Sequence, residues 1–388
     1  MMKQAFLDRL NALTGALTEQ ERARLAEYYS EMIDDRMEEG IDEEEAVAAL
    51  GDPMDIAREF VPAARQAEAD AGSETVSALR GLQVKVANAD VEIVRESLDN
   101  GAAAQLRFSD PKRFEWRMDG DTLSVQERRP EERHMGLEAG LRWLKQMISE
   151  PSLRVTVALS EGLADALDFE GSGGDIRLEG VRFAKARLVT ASGDIELKSV
   201  ACENGIGIDI RSHSGDVTLT DVRASNLMAH TASGDISGRG LDLSGRLRLE
   251  SASGDVELRG LDCAEANVTT ASGDIEIDRG RAGGTSIQSA SGDVRLDELE
   301  TDPTLAVQTA SGDVELTRCI ARETRLATAS GDVKLRLAPL SCGYDISANT
   351  RSGDVRLPRD NPSPAAGEIQ PRIAVNTMSG DIDAGILG

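Results

Sequence analysis

The stretch Ala191-Ser192-Gly193-Asp194-Ile195 decides the fold, because its Ser-Gly-Asp centre recurs through the second half of the chain. Nine further copies follow, and successive central glycines are 19 to 27 positions apart. These ten corner glycines are Gly193, Gly215, Gly234, Gly254, Gly273, Gly292, Gly312, Gly331, Gly353 and Gly380. A degenerate copy, Gly173-Gly174-Asp175, precedes them. Such a period predicts a solenoid, in which each repeat forms one coil and packs against the next.

Hydrophobicity alternates with period two on both sides of each corner. The residue two positions after the glycine is always Val or Ile, from Ile195 to Ile382, and the residue five positions before it is apolar. This alternation predicts strands with one buried and one solvated face. We therefore predict an all-β right-handed parallel β-helix, its hand set by the crossover rule for parallel strands.

Each residue type of the corner has an expected role. The glycine is predicted to adopt a backbone angle that other residues resist. The aspartate is predicted to hydrogen-bond within its own turn. The residue three positions before the glycine is always Thr or Ser, which predicts an inward hydroxyl ladder between coils.

The aspartate column is also a candidate metal site, because Ca²⁺ would relieve repulsion between stacked carboxylates. One carboxylate per coil falls short of the six to eight oxygens that Ca²⁺ requires. This shortfall favours a hydrogen-bonding role for the aspartate in its turn, and we expect no cofactor. The candidate metal ligands are Asp194, Asp216, Asp235, Asp255, Asp274, Asp293, Asp313 and Asp332.

Residues 1–65 predict a small all-α module. Apolar residues recur at helical spacing from Phe6 onward, and Thr18 with Glu21 forms a capping box. Gly51 is expected to end one helix, and Asp52-Pro53 to begin the next, with proline at the first helical position.

The order Phe6-Leu7-x-x-Leu10, Glu27-Tyr28-Tyr29 and Leu50-Gly51-Asp52-Pro53 resembles the HAAS domain, a bacterial helical module found beside PadR-like transcription regulators. The resemblance implies a module that contacts such a regulator. Tyr28 and Tyr29 are its candidate partner-binding residues. Both rings could instead pack in the helical core, since adjacent positions can each flank one apolar stripe.

The segment between the module and the regular coils is less regular. Residues 66–80 predict a linker, and residues 81–170 predict degenerate coils, with Asn88-Ala89-Asp90 in place of Ser-Gly-Asp. A helical insertion is predicted over residues 128–150, and it would either cover an open strand edge or face a partner or membrane surface. Regular coils are predicted over residues 171–388, within a β-helix domain of residues 81–388.

The Ser-Gly-Asp coils resemble the bacterial putative-adhesin β-helix family over residues 80–388. That resemblance implies a repeat scaffold, linked in some relatives to envelope-stress signalling, and the adhesin label implies a surface location.

Composition limits the function further. A net charge of −26 leaves no basic face for unassisted nucleic-acid binding. The sequence shows no signal peptide and no run of about 20 apolar residues, so we expect a cytoplasmic protein without a transmembrane segment. The four cysteines, Cys202, Cys263, Cys319 and Cys342, predict reduced thiols, although Cys319 and Cys342 could meet in adjacent coils.

These features predict a non-enzymatic signalling or scaffold protein whose module contacts a regulator. The histidines His134, His213 and His230 form no catalytic motif. An envelope-associated adhesin or stress protein is one alternative, and a carbohydrate-active β-helix enzyme is another. The last corner, at Asp381, leaves little room for a cap, which predicts a homo-oligomer through an open C-terminal coil.

Overall fold

A computed structural model of the chain describes residues 2–14, 19–38, 41–48, 50–54, 56–57, 72–98, 101–128, 153–160, 163–202, 206–366 and 368–387. The chain divides into two compact units. One comprises Met1–Glu74, Leu106–Glu115 and Arg128–Val155, and the other comprises Thr75–Gln105, Trp116–Glu127 and Thr156–Gly388. A small helical N-terminal part is therefore followed by a large all-β domain, as predicted. The capping box at Thr18 and almost all of the predicted helical insertion lie outside the described residues.

The helical module packs around one aromatic pair. Its helices are α1 (Lys3–Leu13), α2 (Glu19–Glu38) and α3 (Glu43–Ala48). The ring centroids of Phe6 and Tyr29 lie 5.9 Å apart. Around them lies a buried core of Leu10, Leu25, Ile33, Ala46, Val47 and Ile56.

The predicted helix boundary at Gly51-Asp52-Pro53 is confirmed. Gly51 has a φ of +91°, a conformation that glycine adopts without a Cβ penalty. The Asp52 carboxylate accepts the N–H of Met54 at 2.9 Å, so it caps the helical residues that follow.

The rest of the described chain contains 28 strands. The irregular part holds β1 (Gly72–Val76), β2 (Gly81–Lys85), β3 (Asp90–Arg95), β4 (Ala104–Phe108), β5 (Phe114–Asp119), β6 (Thr122–Glu127), β7 (Arg154–Leu159) and β8 (Leu163–Glu170), with a 3₁₀ turn at Pro111–Arg113. The first regular coils hold β9 (Ile176–Glu179), β10 (Arg182–Thr190), β11 (Ile195–Lys198), β12 (Ala201–Cys202), β13 (Gly207–Ser212), β14 (Val217–Thr220), β15 (Arg223–Ala224), β16 (Leu227–Thr231), β17 (Ile236–Leu243) and β18 (Arg246–Ser251). The remaining strands are β19 (Val256–Thr270), β20 (Ile275–Ser289), β21 (Val294–Thr309), β22 (Val314–Thr317), β23 (Ile320–Thr328), β24 (Val333–Leu337), β25 (Asp345–Ser352), β26 (Val355–Arg356), β27 (Arg372–Ser379) and β28 (Ile382–Ile386). The strand β1 lies inside the segment that was predicted to be a linker.

Corresponding residues of successive coils pair in parallel, as the repeat predicts. The residue two positions after each corner glycine pairs with its equivalent one coil on, as Ile195 does with Val217. The residue five positions before the glycine does the same, as Leu188 does with Ile210. Both columns are buried in the regular coils except in the coil of residues 345–357, and they form the apolar interior of the domain.

A second corner lies six residues after the corner glycine in the coils from Gly174 to Gly312, and the repeat pattern did not predict it. Its residue has a φ between 51° and 71° in eight coils. The eight residues are Gly180, Ser199, Asp221, Gly240, Gly260, Arg279, Glu298 and Arg318. The chain turns here in the left-handed region, although five of the eight residues carry side chains that disfavour it. Because three of the eight residues are glycine and the other five are Ser, Asp, Glu or Arg, no single residue type marks this turn in the sequence.

At the C-terminal end, the last two coils of the sequence stack in reverse order. Strand β28 pairs with β24 on one side and with β26 on the other. Strand β27 lies in the same way between β23 and β25. The coil of Gly380 is therefore enclosed, and the coil of residues 345–357 is the outermost. The open coil was expected at the last corner in sequence, but the chain returns and inserts its last coil one position inward.

The same exchange occurs at the start of the domain. Strand β2 pairs with β8 on one side and with β6 on the other. Strand β2 is therefore not the outermost on this side, because β6, which comes later in the chain, lies outside it.

Close coil stacking explains the corner glycines, and the expected unusual backbone angle does not. Nine of the ten lie outside the left-handed region, Gly353 being the exception with a φ of 159°. A Cβ on any of the ten would overlap the carbonyl oxygen of the corner glycine in the adjacent coil. The expectation of a special φ was thus wrong at nine corners, and glycine is required because two backbones approach closely.

Three glycine-to-alanine variants separate these effects. Gly254→Ala meets the Gly234 carbonyl, so we expect it to destabilise the domain by about 3 kcal/mol. Gly260→Ala makes only ordinary van der Waals contact with the Gly240 backbone, 3.8 Å away, but it has a φ of +71°, so it should cost about 1 kcal/mol. Gly284→Ala has its nearest atom 3.8 Å away and is the control, with stability unchanged or slightly raised. Thermal unfolding followed by circular dichroism measures all three, and equal losses at Gly254 and Gly284 would contradict the stacking explanation.

Candidate functional site

The hydroxyl column of the Ser-Gly-Asp corner links neighbouring coils, as predicted. In the eight corners from Gly193 to Gly331, the glycine N–H donates to the hydroxyl oxygen three residues before it, at 2.8–3.2 Å. From Thr231 onward the same hydroxyls donate to the glycine carbonyl of the adjacent coil, for example from Thr270 to Gly254 at 3.1 Å. Each buried hydroxyl thus satisfies its own corner and joins it to the next one.

The aspartate column forms a second ladder, but between coils and not within a turn. The N–H of each aspartate donates to the Oδ1 atom of the aspartate one coil away, as Asp274 does to Asp255 at 2.7 Å. Ten such links of 2.7–2.9 Å run from Asp175 to Asp354. The predicted bond within the aspartate's own turn is therefore corrected: the carboxylate caps the neighbouring corner.

This ladder accounts for the aspartates that were candidate metal ligands. One carboxylate oxygen at each link accepts an N–H, and the side chains stand at the surface. Across the described residues, His, Cys, Asp and Glu form no group of three or more that could hold a metal ion. The arrangement fits hydrogen bonding between corners and lacks the converging oxygens that Ca²⁺ takes.

Glu127 closes the N-terminal end of the stack of corners. Its Oε2 atom accepts the N–H groups of Ala87, Asn88 and Ala89 at 2.6, 2.9 and 3.3 Å. These three amides belong to the degenerate first corner, whose Asp90 accepts the N–H of Asp175 at 3.3 Å. The degenerate corner thus occupies its expected place in the ladder. Sequence reasoning missed Glu127 because the residue lies about 40 positions from the amides that it caps.

The two candidate partner-binding tyrosines of the helical module are not equivalent. Tyr29 is 5% exposed and packs on Phe6, so its ring belongs to the core. The side chain of Tyr28 lies outside the described residues. Partner binding by Tyr28 therefore stays a prediction, and Tyr29 cannot serve as an exposed anchor while the module is folded.

Ion pairs link the outward faces of neighbouring coils. Hydrogen bonds from Lys85 and then Arg187 hold the pKa of the Glu170 carboxyl below its ordinary value. Lys198, and then Arg177, do the same for the pKa of Glu179. Because these pKa values are lowered on folding, the small stabilisation they bring is lost as the pH falls through the folded-state pKa.

A groove follows the second corner across several coils. Its two adjoining sections have volumes of about 580 and 550 Å³, with Leu261 buried in the floor of both. On the rim, Arg223 lies 3.6 Å from Asp242, and Arg281 lies 3.3 Å from Glu300. These charges neutralise one another between coils, which indicates a structural role for them.

The histidines and cysteines give no sign of a reactive centre in the described chain. His230 lies 3.5 Å from Glu250 on the outer face, and His134 lies outside the described residues. All four cysteines are free, so Cys319 and Cys342 are not bonded to each other. Burial raises the pKa of Cys263 to about 12 and that of Cys319 to about 11, which keeps both thiols protonated and unreactive.

Substitutions at Asp255 test the aspartate ladder against metal binding. Asp255→Ala removes the acceptor for the Asp274 N–H, so we expect a loss of about 1 kcal/mol, or a melting temperature about 2 °C lower. Asp255→Asn keeps a carbonyl oxygen at the same place and should retain most of the stability. Dialysis against a chelator should leave the melting temperature unchanged. A sharp drop with chelator, together with equal losses for the two variants, would favour a metal.

Glu127→Ala tests the terminal cap. We expect a loss of about 2 kcal/mol, because three N–H groups lose one charged acceptor. Hydrogen exchange should accelerate at residues 87–89 before it accelerates elsewhere in the strands. Glu276→Ala, at an exposed outward position, is the matched control and should leave exchange and melting temperature unchanged. Protection at residues 87–89 that survives Glu127→Ala would contradict the capping role.

No described helix combines the length and the apolar character needed to cross a membrane. No curated protein matches the chain. Three solved structures each cover 82% of it. They are a putative adhesin from Bacteroides fragilis (11% identity, 97% of that chain, TM-score 0.31), a putative lipid binding protein from Parabacteroides distasonis (12%, 97%, 0.36) and a putative cell adhesion protein from Clostridium sporogenes (8%, 99%, 0.16). These scores are too low to support a functional argument.

The family models give a firmer result. The Toastrack DUF4097 model matches residues 79–248 and 244–384, and the HAAS model matches residues 5–59. Together the Toastrack matches span most of the chain and coincide with the stacked coils. The chain therefore belongs to the Toastrack DUF4097 family and carries a HAAS domain at its N-terminus.

Proposed function

We propose that this protein is a non-enzymatic signalling scaffold, in which the HAAS domain binds a PadR-like transcription regulator and the toastrack coils supply an acidic interaction surface. The observation that carries the proposal is the joining of a HAAS domain to toastrack coils in one chain. The polar groups of the corners support a scaffold role, since they are used in linking coil to coil.

The charge of the helical module suits a basic partner surface. Residues 1–72 contain 18 acidic and seven basic residues. In α3 the first turn carries Glu43, Glu44 and Glu45, and of these Glu44 and Glu45 are exposed. Opposite charges on two surfaces speed their encounter and select the partner, and salt weakens the effect. Binding to a regulator should therefore weaken as salt is added.

Three further features belong to the proposal. The coils wind as a right-handed parallel β-helix, because connections between parallel strands in one sheet are right-handed in nearly all proteins. The protein acts in the cytoplasm, where a transcription regulator would meet it. It also self-associates through its outermost C-terminal coil, which would bring two HAAS domains into one assembly.

Binding of the full-length chain to a purified PadR-like regulator from the same genome tests the proposal. Tyr28→Ala should weaken binding about tenfold or more and leave the melting temperature unchanged, as expected for an exposed aromatic anchor. Tyr29→Ala is the matched control. It removes the ring that packs on Phe6 and should destabilise the module by about 3 kcal/mol.

Several results would overturn the proposal. If the wild-type chain shows no binding at about 100 μM, the dissociation constant is far above that of a typical specific complex, and the regulator role would be excluded. Recovery of the protein solely from the cell surface would remove the cytoplasmic role and favour an adhesin. Cleavage of an acidic polysaccharide would show an enzyme.

A further inference from the structure

The outermost C-terminal coil leaves the apolar interior of the domain uncovered. No residue from 345 to 357 is buried. Val355 and Leu357 are 42% and 44% exposed, although their positions face the interior in other coils. One coil inward, Val375 and Ile382 are fully buried. Among the described residues, Asn361 bonds to the backbone of Tyr344 just before β25, but residues 345–357 themselves remain exposed or half-buried.

The opposite end of the stack is closed. Leu123 and Val125 of the outer strand β6 are fully buried, and Glu127 caps the first corner. A head-to-tail contact between two copies would need both ends to be open. The two ends are therefore not complementary to each other, and the open end requires a different occupant.

The open edge also presents unpaired backbone groups. The N–H of Asp345 donates to the carbonyl of Pro371 on the inner side at 2.9 Å. Backbone groups alternate in direction along a strand, so those of Ile346, Ala348 and Thr350 face away from β27. An edge strand with free amides and carbonyls is a template for pairing with another strand.

The charges along β25 are complementary when two copies of the strand lie antiparallel to each other. Antiparallel pairing centred on Ala348 places Asp345 of one copy opposite Arg351 of the other, and Ser347 opposite Asn349. Asp345 and Arg351 share one face of the strand and are both exposed, so each copy contributes one half of two such pairs. A parallel arrangement in the same register would oppose like charges.

We propose that β25 pairs with β25 of a second copy of this chain, antiparallel about a two-fold axis at Ala348, to form a closed dimer. The two uncovered interiors then face each other, and apolar surface is removed from water. A two-fold contact uses the same surface on both copies, so it closes and builds no filament. The inference rests on the proposed self-association and is independent of regulator binding.

Light scattering on the full-length chain over a range of concentrations tests the dimer. We expect a monomer–dimer equilibrium. Arg351→Asp opposes Asp345 with a second carboxylate at both pairs, so it should raise the dissociation constant about tenfold or more. The double variant Asp345→Arg, Arg351→Asp restores opposite charges between the copies and should recover part of the affinity, because the arginine introduced at position 345 also lies beside Arg372 of its own copy, which is 3.6 Å from Asp345 in the wild-type chain. Arg322→Asp, which makes the same charge change beside Asp302 on the outer face, is the control.

Crosslinking gives a second readout that does not depend on charge. Ala348→Cys places two thiols at the two-fold axis, where a short bismaleimide should link the copies. Thr218→Cys, exposed on a distant coil, should give no crosslinked dimer. Melting temperatures of all variants verify that the domain remains folded.

Three outcomes would overturn the inference. They are a monomer at every concentration, masses that grow beyond a dimer, or a double charge variant that dissociates as readily as Arg351→Asp. If the wild-type chain dimerises but binds no regulator, the pairing stands and the regulator role fails. If it binds a regulator but remains a monomer, the regulator role stands and the pairing fails.

Discussion

The close approach of one corner glycine to the carbonyl oxygen of the next is the contact on which the coil stack depends. Neighbouring strands lie about 4.8 Å apart, and at the corner no side chain separates the two backbones. A Cβ on Gly254 would overlap the Gly234 carbonyl, and the same holds at each of the ten corners. The distance between neighbouring coils is therefore set at the corner glycines, which have no side chain.

Two columns of hydrogen bonds, one of hydroxyl groups and one of aspartates, join the coils at this spacing and stabilise it. The hydroxyl column lies inside and connects each glycine N–H to the carbonyl of the adjacent glycine, as Thr270 does between Gly273 and Gly254. The aspartate column lies outside and connects each carboxylate to the amide of the neighbouring aspartate. One set of bonds is buried and the other is exposed, so the corner is fixed on both sides. The aspartates that were candidate metal ligands are explained by this repeated bonding.

The ends of the stack differ from its middle because the ladders must stop. At the N-terminal end Glu127 supplies the acceptor that a preceding aspartate would supply. At the C-terminal end the described ladder finishes at Asp354, on a coil whose inward residues are exposed. The chain encloses its first and last coils in sequence beneath neighbouring strands, so each outer position is taken by another segment. One end of the stack is therefore closed and the other is exposed, so the outermost C-terminal coil is the end at which a second strand can pair.

The sequence by itself determined the repeat, the parallel stacking, the inward hydroxyl column and the helical module with its boundary at Gly51. These features depend on residue type at a fixed spacing, such as the Thr or Ser three residues before each glycine. Only the tertiary structure showed that a Cβ at the corner glycine would overlap the neighbouring carbonyl, and that each aspartate caps an adjacent coil. It also decided the left-handed turn at residues as different as Ser199 and Arg318, and the order in which the terminal coils stack. The contacts that decide the glycines, the aspartates and the order of the coils join residues that are 19 to about 50 positions apart in the chain. Local periodicity carries no information about which distant backbone will lie beside a given residue, so only the folded chain reveals it.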